Sequence, residues 1–292
     1  MLAVQAAGLN AADLMQRRGF YPAPPGVPPD IPGLEVAGEV VAVGRRASRF
    51  TVGDRVMGVV GGGGQAEMAV IDERCALPVP DGLPWEEAGG FPEAFSTAYD
   101  ALFTQGGLAI GDRVLVTAAA GGVGTAGVQL ASAAGATTVA SVRSPELREA
   151  VAALGAAHAV DPDEALALGP FDVVLELVGA ASLPGVLGAL AIGGRIAVIG
   201  VGGGAQAEID LLGLMHRRAR ISGSTLRARS FLEKAVLATA VQAHVLPHLV
   251  SHRLRVPVEA MFAMERAAEA YDRFAAGGKL GKIVLVRGGS IP

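Results

Sequence analysis

One cysteine in 292 residues, Cys75, excludes an intrachain disulfide and any cysteine-rich zinc site. Aromatic residues make up only 4%, so Ala, Val and Leu must fill the core. The net charge of −4 lacks the basic excess that nucleic acid or an anionic membrane surface demands. No charged and then apolar targeting segment opens the chain, which therefore reads as cytoplasmic. No repeat of solenoid period is present. Val114 to Val142 is a run of 29 residues without a charge, but five glycines, four threonines, two serines and a glutamine make it too polar for a membrane span. Hydrophobic residues are abundant at 51%, and the length suffices for two domains or one large one.

That uncharged run holds the organising motif. Val114-Leu115-Val116 is a short apolar run of the kind found in buried parallel strands. Gly121, Gly122 and Gly124 make a tight turn, and Val123, Ala126, Gly127, Leu130 and Ala134 recur at helical spacing. Gly135 stops the helix, and Thr137–Val142 is a second strand. A glycine-rich turn between strand and helix lets a pyrophosphate reach unpaired N–H groups at the positive end of the helix. The G-x-G-x-x-G fingerprint is present imperfectly, with Ala119 first, then Gly121 and Gly124.

Upstream, residues 1–8 read as a strand, and Asn10 to Gly19 as a short helix with Asn10 at its N-cap. Six prolines between 20 and 32 define a loop without ladder hydrogen bonds. Short strands follow at 36–43, with Gly38 as a bend, and within 50–60. Gly61–Gly64 reads as a hairpin turn, with 65–71 as its return strand. This is the pattern of a partly open β-barrel. Beyond Trp85, helices alternate with further strands at 157–160, 171–179, 194–200 and 220–225, the signature of an open α/β sheet. Val256–Met264 and Lys282–Val286 read as strands returning to the first domain. The expected division is 1–93, 94–250 and 251–292, with the chemistry in the cleft between domains.

Several motifs in this order resemble one family: N-A-A-D-L-M-Q-R-R-G-F-Y (10–21), G-L-E-V-A-G-E-V (33–40), G-G-G-G-Q-A-E (61–67), P-E-A-F-S-T-A-Y (92–99), A-A-G-G-V-G-T-A (119–126) and L-G-K-I-V-L (280–285). They resemble the zinc-free quinone oxidoreductase branch of the medium-chain dehydrogenase/reductase superfamily, and within it the tumour-suppressor-inducible type, over essentially the whole chain. The resemblance implies an α/β protein: a Rossmann domain, doubly wound around a parallel sheet, inserted into a partly open GroES-like barrel. The family's usual first strands are lacking, which leaves an exposed edge. It also implies NADPH, hydride transfer to a quinone or enone, a homodimer, and no nucleic-acid or membrane partner. An enoyl-thioester reductase and a non-catalytic, NADPH-responsive or RNA-binding protein are the alternatives.

Site residues follow. Where zinc-dependent relatives place ligands, this chain has Asn10, Leu34 and the Pro92-Glu93 region, so no metal is expected. His244, His248 and His252 are spaced like a ligand face, but Pro247 interrupts them, and they read as partly buried or surface histidines. An NAD-selective fold carries an acid about 20 residues past the first glycine. Here Arg143 and Ser144 end the second strand instead, and no acid precedes Glu146. Arg143 can pair with a 2′-phosphate or stack on adenine; Ser144 can donate to the phosphate or cap the next helix. By resemblance, Gly121, Gly122, Val123 and Gly124 hold the pyrophosphate, and Gly200, Gly202 and Lys282 meet the cofactor. Also by resemblance, Tyr21 and Thr97 lie near the nicotinamide, while Asn10 bonds the ribose or substrate oxygen in addition to capping its helix. Asp13 reads as structural. The basic cluster of His216, Arg217, Arg218, Arg220, Arg227 and Arg229 reads as a solvated face or a dimer edge.

Overall fold

A computed structural model describes residues 1–288 of the chain. Its contacts divide it into two units: Met1–Ser96 with Leu226 onward, and Thr97–Thr225 between them.

The inner unit holds six strands: β6 (Arg113–Val116), β7 (Thr137–Ser141), β8 (His158–Val160), β9 (Phe171–Glu176), β10 (Leu190–Val198) and β11 (Arg220–Gly223). They lie in the order β11-β10-β9-β6-β7-β8, every neighbouring pair parallel. Counted from β6, that is the 3-2-1-4-5-6 order of a dinucleotide-binding fold, reversing direction between β6 and β9. Val114, Leu115 and Val116, with Val173, Val174 and Leu175 beside them, are buried, which is why these strands read as continuous apolar runs. Phe171, Leu187 and Ile196 pack with Leu115 in one core. A short helix at Pro162–Ala167, capped by Asp161 accepting from the Asp163 N–H at 3.1 Å, had no periodicity to announce it.

The outer unit is built on a seven-stranded sheet. Its strands are β1 (Leu2–Gly8), β2 (Glu35–Val40), β3 (Arg55–Val59), β4 (Met68–Ala69), β5 (Ala76–Pro78), β12 (Val258–Ala263) and β13 (Lys282–Val286). The order is β12-β13-β1-β2-β3-β5, with β4 also on β1. The register of β1 on β2 shifts between Val4 and Ala6. Leu2 and Ala3 face β4, and Ala6 to Gly8 face β13, so this irregularity lets one strand serve two partners. Gly38 lies opposite Val4, where a Cβ would stand 2.3 Å from the Ala3 carbonyl oxygen.

The expected hairpin at Gly61–Gly64 is corrected. β3 pairs with β2 and β5, whereas β4 pairs with β1. Three of the four glycines carry the proline-rich loop instead, while Gly64 meets Val36 and Gly33. A Cβ at Gly61 would lie 3.0 Å from Val27 Cγ2, at Gly62 2.7 Å from Val27 Cγ1, and at Gly63 3.3 Å from Pro28 Cγ. Glycines that look like a turn locally are there because another segment presses against them.

Candidate functional site

β6 ends at Val116, and a turn runs through Thr117–Ala120 into the helix Gly122–Ala133. Ala118 sits in the left-handed region at φ 46°, and Ala119 is buried, its N–H donating to the Ser141 carbonyl at 3.0 Å. The glycines divide the work that the fingerprint requires. A Cβ at Gly124 would lie 2.6 Å from the Ala118 carbonyl oxygen, so this position must be glycine for the helix to pack on the turn. At Gly121 the nearest described atom would be 3.5 Å away, which leaves its backbone approachable. Gly121 is the N-cap and brings no side-chain acceptor to the first-turn N–H groups, those of Gly122, Val123 and Gly124 among them. Such a helix start fits a pyrophosphate.

Arg143 follows β7, exposed, with no side-chain partner among the described residues. Ser144 occupies the N-cap of the turn at Pro145–Leu147, but its hydroxyl makes no capping bond. The neighbouring Arg148 is engaged: its Nε donates to the Val142 carbonyl at 3.1 Å, and Nη2 pairs with Asp161 at 3.2 Å. Gly200 and Gly202 follow β10. A Cβ at Gly200 would be 2.3 Å from the Leu177 carbonyl oxygen, while Gly202 is exposed with open space beside it. Thr97 is buried in the helix Pro92–Tyr99.

Sequence reasoning missed Glu176, at the end of β9. It is fully buried, and its Oε1 accepts from the Val178 and Gly179 N–H groups at 2.7 and 2.8 Å. The same oxygen accepts from the hydroxyls of Ser182 at 2.7 Å and Thr117 at 3.2 Å. One carboxylate thus ties the glycine-rich turn after β6 to the loop after β9.

In the outer unit, the buried Asp13, Glu35 and Lys282 form a polar cluster with the partly buried Asn10. Lys282 Nζ donates to the Leu9 carbonyl at 2.9 Å and to Asn10 Oδ1 at 2.7 Å, and pairs with Glu35 Oε1 at 2.6 Å. These three acceptors match its three N–H bonds. Asn10 Nδ2 donates to Glu35 Oε1 at 2.9 Å, and Glu35 Oε2 accepts from the Glu93 N–H at 2.8 Å. Both ends of the Asn10 amide are therefore engaged within the protein. Asn10 stands at the N-cap of its helix, and its N–H donates to Asp13 Oδ2 at 2.8 Å.

These residues do not suit zinc. An ammonium lies among them, the Asn10 amide oxygen accepts from that ammonium, and Leu34 is apolar and buried. Among the described residues, no group of three His, Cys, Asp or Glu side chains is arranged to hold a metal. His244 and His252 are exposed, and the helix is interrupted between His244 and Leu246.

Asp13 Oδ1 also accepts from the Gly33 N–H at 3.0 Å. Burial nevertheless outweighs these bonds and pushes its carboxyl up to about 6, from 3.8. The folded state thus holds the proton more tightly than the unfolded chain, so the Asp13 contribution to stability falls as pH rises from 4 to 6 and levels off above. Denaturation midpoints from pH 4 to 7 should show this as an advantage over Asp13→Asn that shrinks by up to about 3 kcal/mol with rising pH. Parallel curves for the two proteins would refute it.

Tyr21 opens the proline-rich loop, partly buried, with the Arg227 guanidinium 5.0 Å above its ring. The basic stretch around Arg227 suggests a solvated side chain, and the structure corrects this. Arg227 is 5% exposed and donates to the carbonyls of Gly61 and Tyr21 at 2.8 and 2.9 Å and to Gln16 Oε1 at 2.6 Å. A guanidinium held by carbonyl oxygens satisfies its donors without water, which is what permits its burial.

The comparisons agree with this anatomy. Residues 1–81 match the alcohol dehydrogenase GroES-like domain, and residues 122–242 match the zinc-binding dehydrogenase family. A quinone oxidoreductase of Lama guanicoe is 30% identical, covering 98% of this chain and 88% of its own length. A polyketide synthase of Streptomyces halstedii, GfsB, is 35% identical over 97% of this chain, which spans only 5% of that protein. Among solved structures, the quinone oxidoreductase of Thermus thermophilus, determined also in complex with NADPH, superposes with a TM-score of 0.83 at 37% identity, covering 98% of this chain and 90% of that one. The chain belongs to the medium-chain dehydrogenase/reductase superfamily, in its quinone oxidoreductase branch.

Proposed function

We propose that the protein is an NADPH-dependent, zinc-free reductase of quinones and α,β-unsaturated carbonyl compounds. The observation that carries this is the pairing, in one sheet, of an uncapped glycine-rich helix start after β6 with an unpartnered arginine after β7. The first suits a pyrophosphate and the second a 2′-phosphate. The NADPH complex of the Thermus relative supports the same choice.

When bound, the dinucleotide supplies the hydride. The protein binds and orients. Gly121 to Gly124 offer backbone N–H groups, Arg143 and Ser144 offer charge and a hydroxyl, and the backbone at Gly200 and Gly202 offers further contacts. Tyr21 is the donor to the oxygen on which negative charge grows, and Thr97 lines the nicotinamide side. Asn10 and Lys282 hold the polar cluster of the outer unit together rather than reaching the substrate with free donors. The branch also suggests a homodimer and a cytoplasmic enzyme; no described helix is long and apolar enough to cross a membrane. The likeness to a stretch of a polyketide synthase supports a second reading, an enoyl-thioester reductase.

Steady-state NADPH oxidation with quinones, simple enones and enoyl thioesters, before and after prolonged chelation, tests all of this. Turnover of quinones or enones that survives chelation is expected. Preference for long enoyl thioesters would select the second reading, and no turnover would leave a nucleotide-binding protein. Within the first reading, Tyr21→Phe lowers enone kcat roughly tenfold to a hundredfold with NADPH affinity unchanged, because the loss is felt in the transition state. Turnover of enones at the wild-type rate would make Tyr21 a packing residue.

A further inference from the structure

The Tyr21 loop is stiffened by its prolines, but stiffness does not fix where a loop lies. Arg227 does. Its Nη1 donates to the Tyr21 carbonyl, its guanidinium covers the Tyr21 ring, and its Nε donates to the Gly61 carbonyl beneath. Nη2 donates to Gln16 Oε1, and Gln16 Nε2 donates onward to the Pro29 carbonyl at 3.0 Å. One guanidinium is thus joined to the start of the loop directly and to its far end through a single amide. The backbone of Arg227 is itself held, since its carbonyl accepts from Lys234 Nζ at 2.9 Å. Room for the arrangement is specific: a Cβ at Gly62 would stand 3.1 Å from Arg227 Nη2 as well as pressing on Val27.

We propose that Arg227 is a positioning residue that sets the place of the Tyr21 phenol, with Gln16 as its second arm, and so tunes the protonation step without touching the reactants. This rests on Tyr21 being the oxygen's donor. Lysine in its place keeps the charge but not the fork that reaches three acceptors in fixed directions.

The experiment compares Arg227→Met, Arg227→Lys and Gln16→Leu, each alone and with Tyr21→Phe, and follows enone kcat, NADPH affinity and tryptic cleavage after Arg18 at the loop's entrance. Arg227→Met should lower enone kcat about tenfold at unchanged NADPH affinity, and should add nothing in the Tyr21→Phe background, as expected of residues acting as one unit. Arg227→Lys should recover only part of the loss, and Gln16→Leu should speed cleavage after Arg18 several-fold. Additive losses in the double variant, or wild-type kcat in Arg227→Met, would overturn the proposal. Should the wild-type protein reduce no enone, the proposed function fails by itself. Cleavage then still decides the anchoring, and unchanged protection of Arg18 in Arg227→Met and Gln16→Leu overturns it. If Arg227→Met does not fold, Gln16→Leu, which cuts only the far arm at a partly exposed residue, decides in its place.

Discussion

Lys282→Met is expected to lower the unfolding free energy by about 3–5 kcal/mol, the cost of leaving a buried charge without its partner. Lys282 is 3% exposed and Glu35 is 0% exposed, so water replaces nothing that the substitution removes. Three donors vanish at once, from the Leu9 carbonyl, Asn10 Oδ1 and Glu35 Oε1. The Glu35 carboxylate keeps Asn10 Nδ2 and the Glu93 N–H but loses its cation. The surroundings cannot collapse to help, because Gly8 already lies so close that a Cβ there would stand 2.3 Å from Glu35 Oε1. One control isolates the cause. Adding Glu35→Leu to Lys282→Met should recover much of the loss, since a pair replaced by apolar side chains strands no charge. Urea denaturation with an unchanged m-value measures the loss and the recovery. A loss below about 1 kcal/mol for Lys282→Met would mean that no uncompensated charge is left buried at Glu35, and this account of the cluster would fall.

What could be read from the sequence was whatever a short stretch decides for itself. The central parallel strands announced themselves because strands buried on both faces are almost wholly apolar, as Val114-Leu115-Val116 is. The turn after β6 was legible because its glycines answer to their own neighbours: Gly124 is required by the carbonyl of Ala118, six residues back. The Asn10 cap was legible for the same reason, since Asp13 returns to the Asn10 N–H within one turn. What failed was what distant segments decide. Gly61–Gly64 has the composition of a hairpin, yet Gly61, Gly62 and Gly63 answer to Val27 and Pro28. Arg227 sits in a basic stretch and looks solvated, but its partners Tyr21 and Gln16 lie 206 and 211 residues away. The cluster around Lys282 was hidden in the same manner, because an interior lysine at the start of β13 has no local signature; only its 272-residue reach to Asn10 explains it. Glu176 stands in a strand that reads as apolar, and its role depends on four donors in two loops.

Arg143→Asp is expected to invert or abolish a preference for NADPH over NADH. β7 delivers Arg143 to the carboxyl end of the sheet beside the glycine-rich turn's strand, β6, with which it pairs from Thr137 to Ala140. There the side chain is exposed and meets no described acceptor, so it costs nothing to redirect toward a ligand. A charge-assisted hydrogen bond contributes about 1.5–3 kcal/mol, a tenfold to roughly 150-fold difference in affinity. Reversing the charge adds repulsion of about 1 kcal/mol toward the phosphate at contact distance in water. It also installs a carboxylate that can accept from an unphosphorylated ribose hydroxyl, as NAD-selective folds do. Titration of both cofactors should therefore show NADPH weakened by about a hundredfold or more while NADH holds or gains. Ser144→Ala, which removes one neutral donor, should move the ratio in the same direction by less than tenfold. Arg148 supplies the contrast: engaged with Val142 and Asp161, it should leave the ratio nearly unchanged when replaced by methionine. Equal weakening of NADPH and NADH in Arg143→Asp would show that the arginine stacks on adenine, which both cofactors share, and the phosphate assignment would fall.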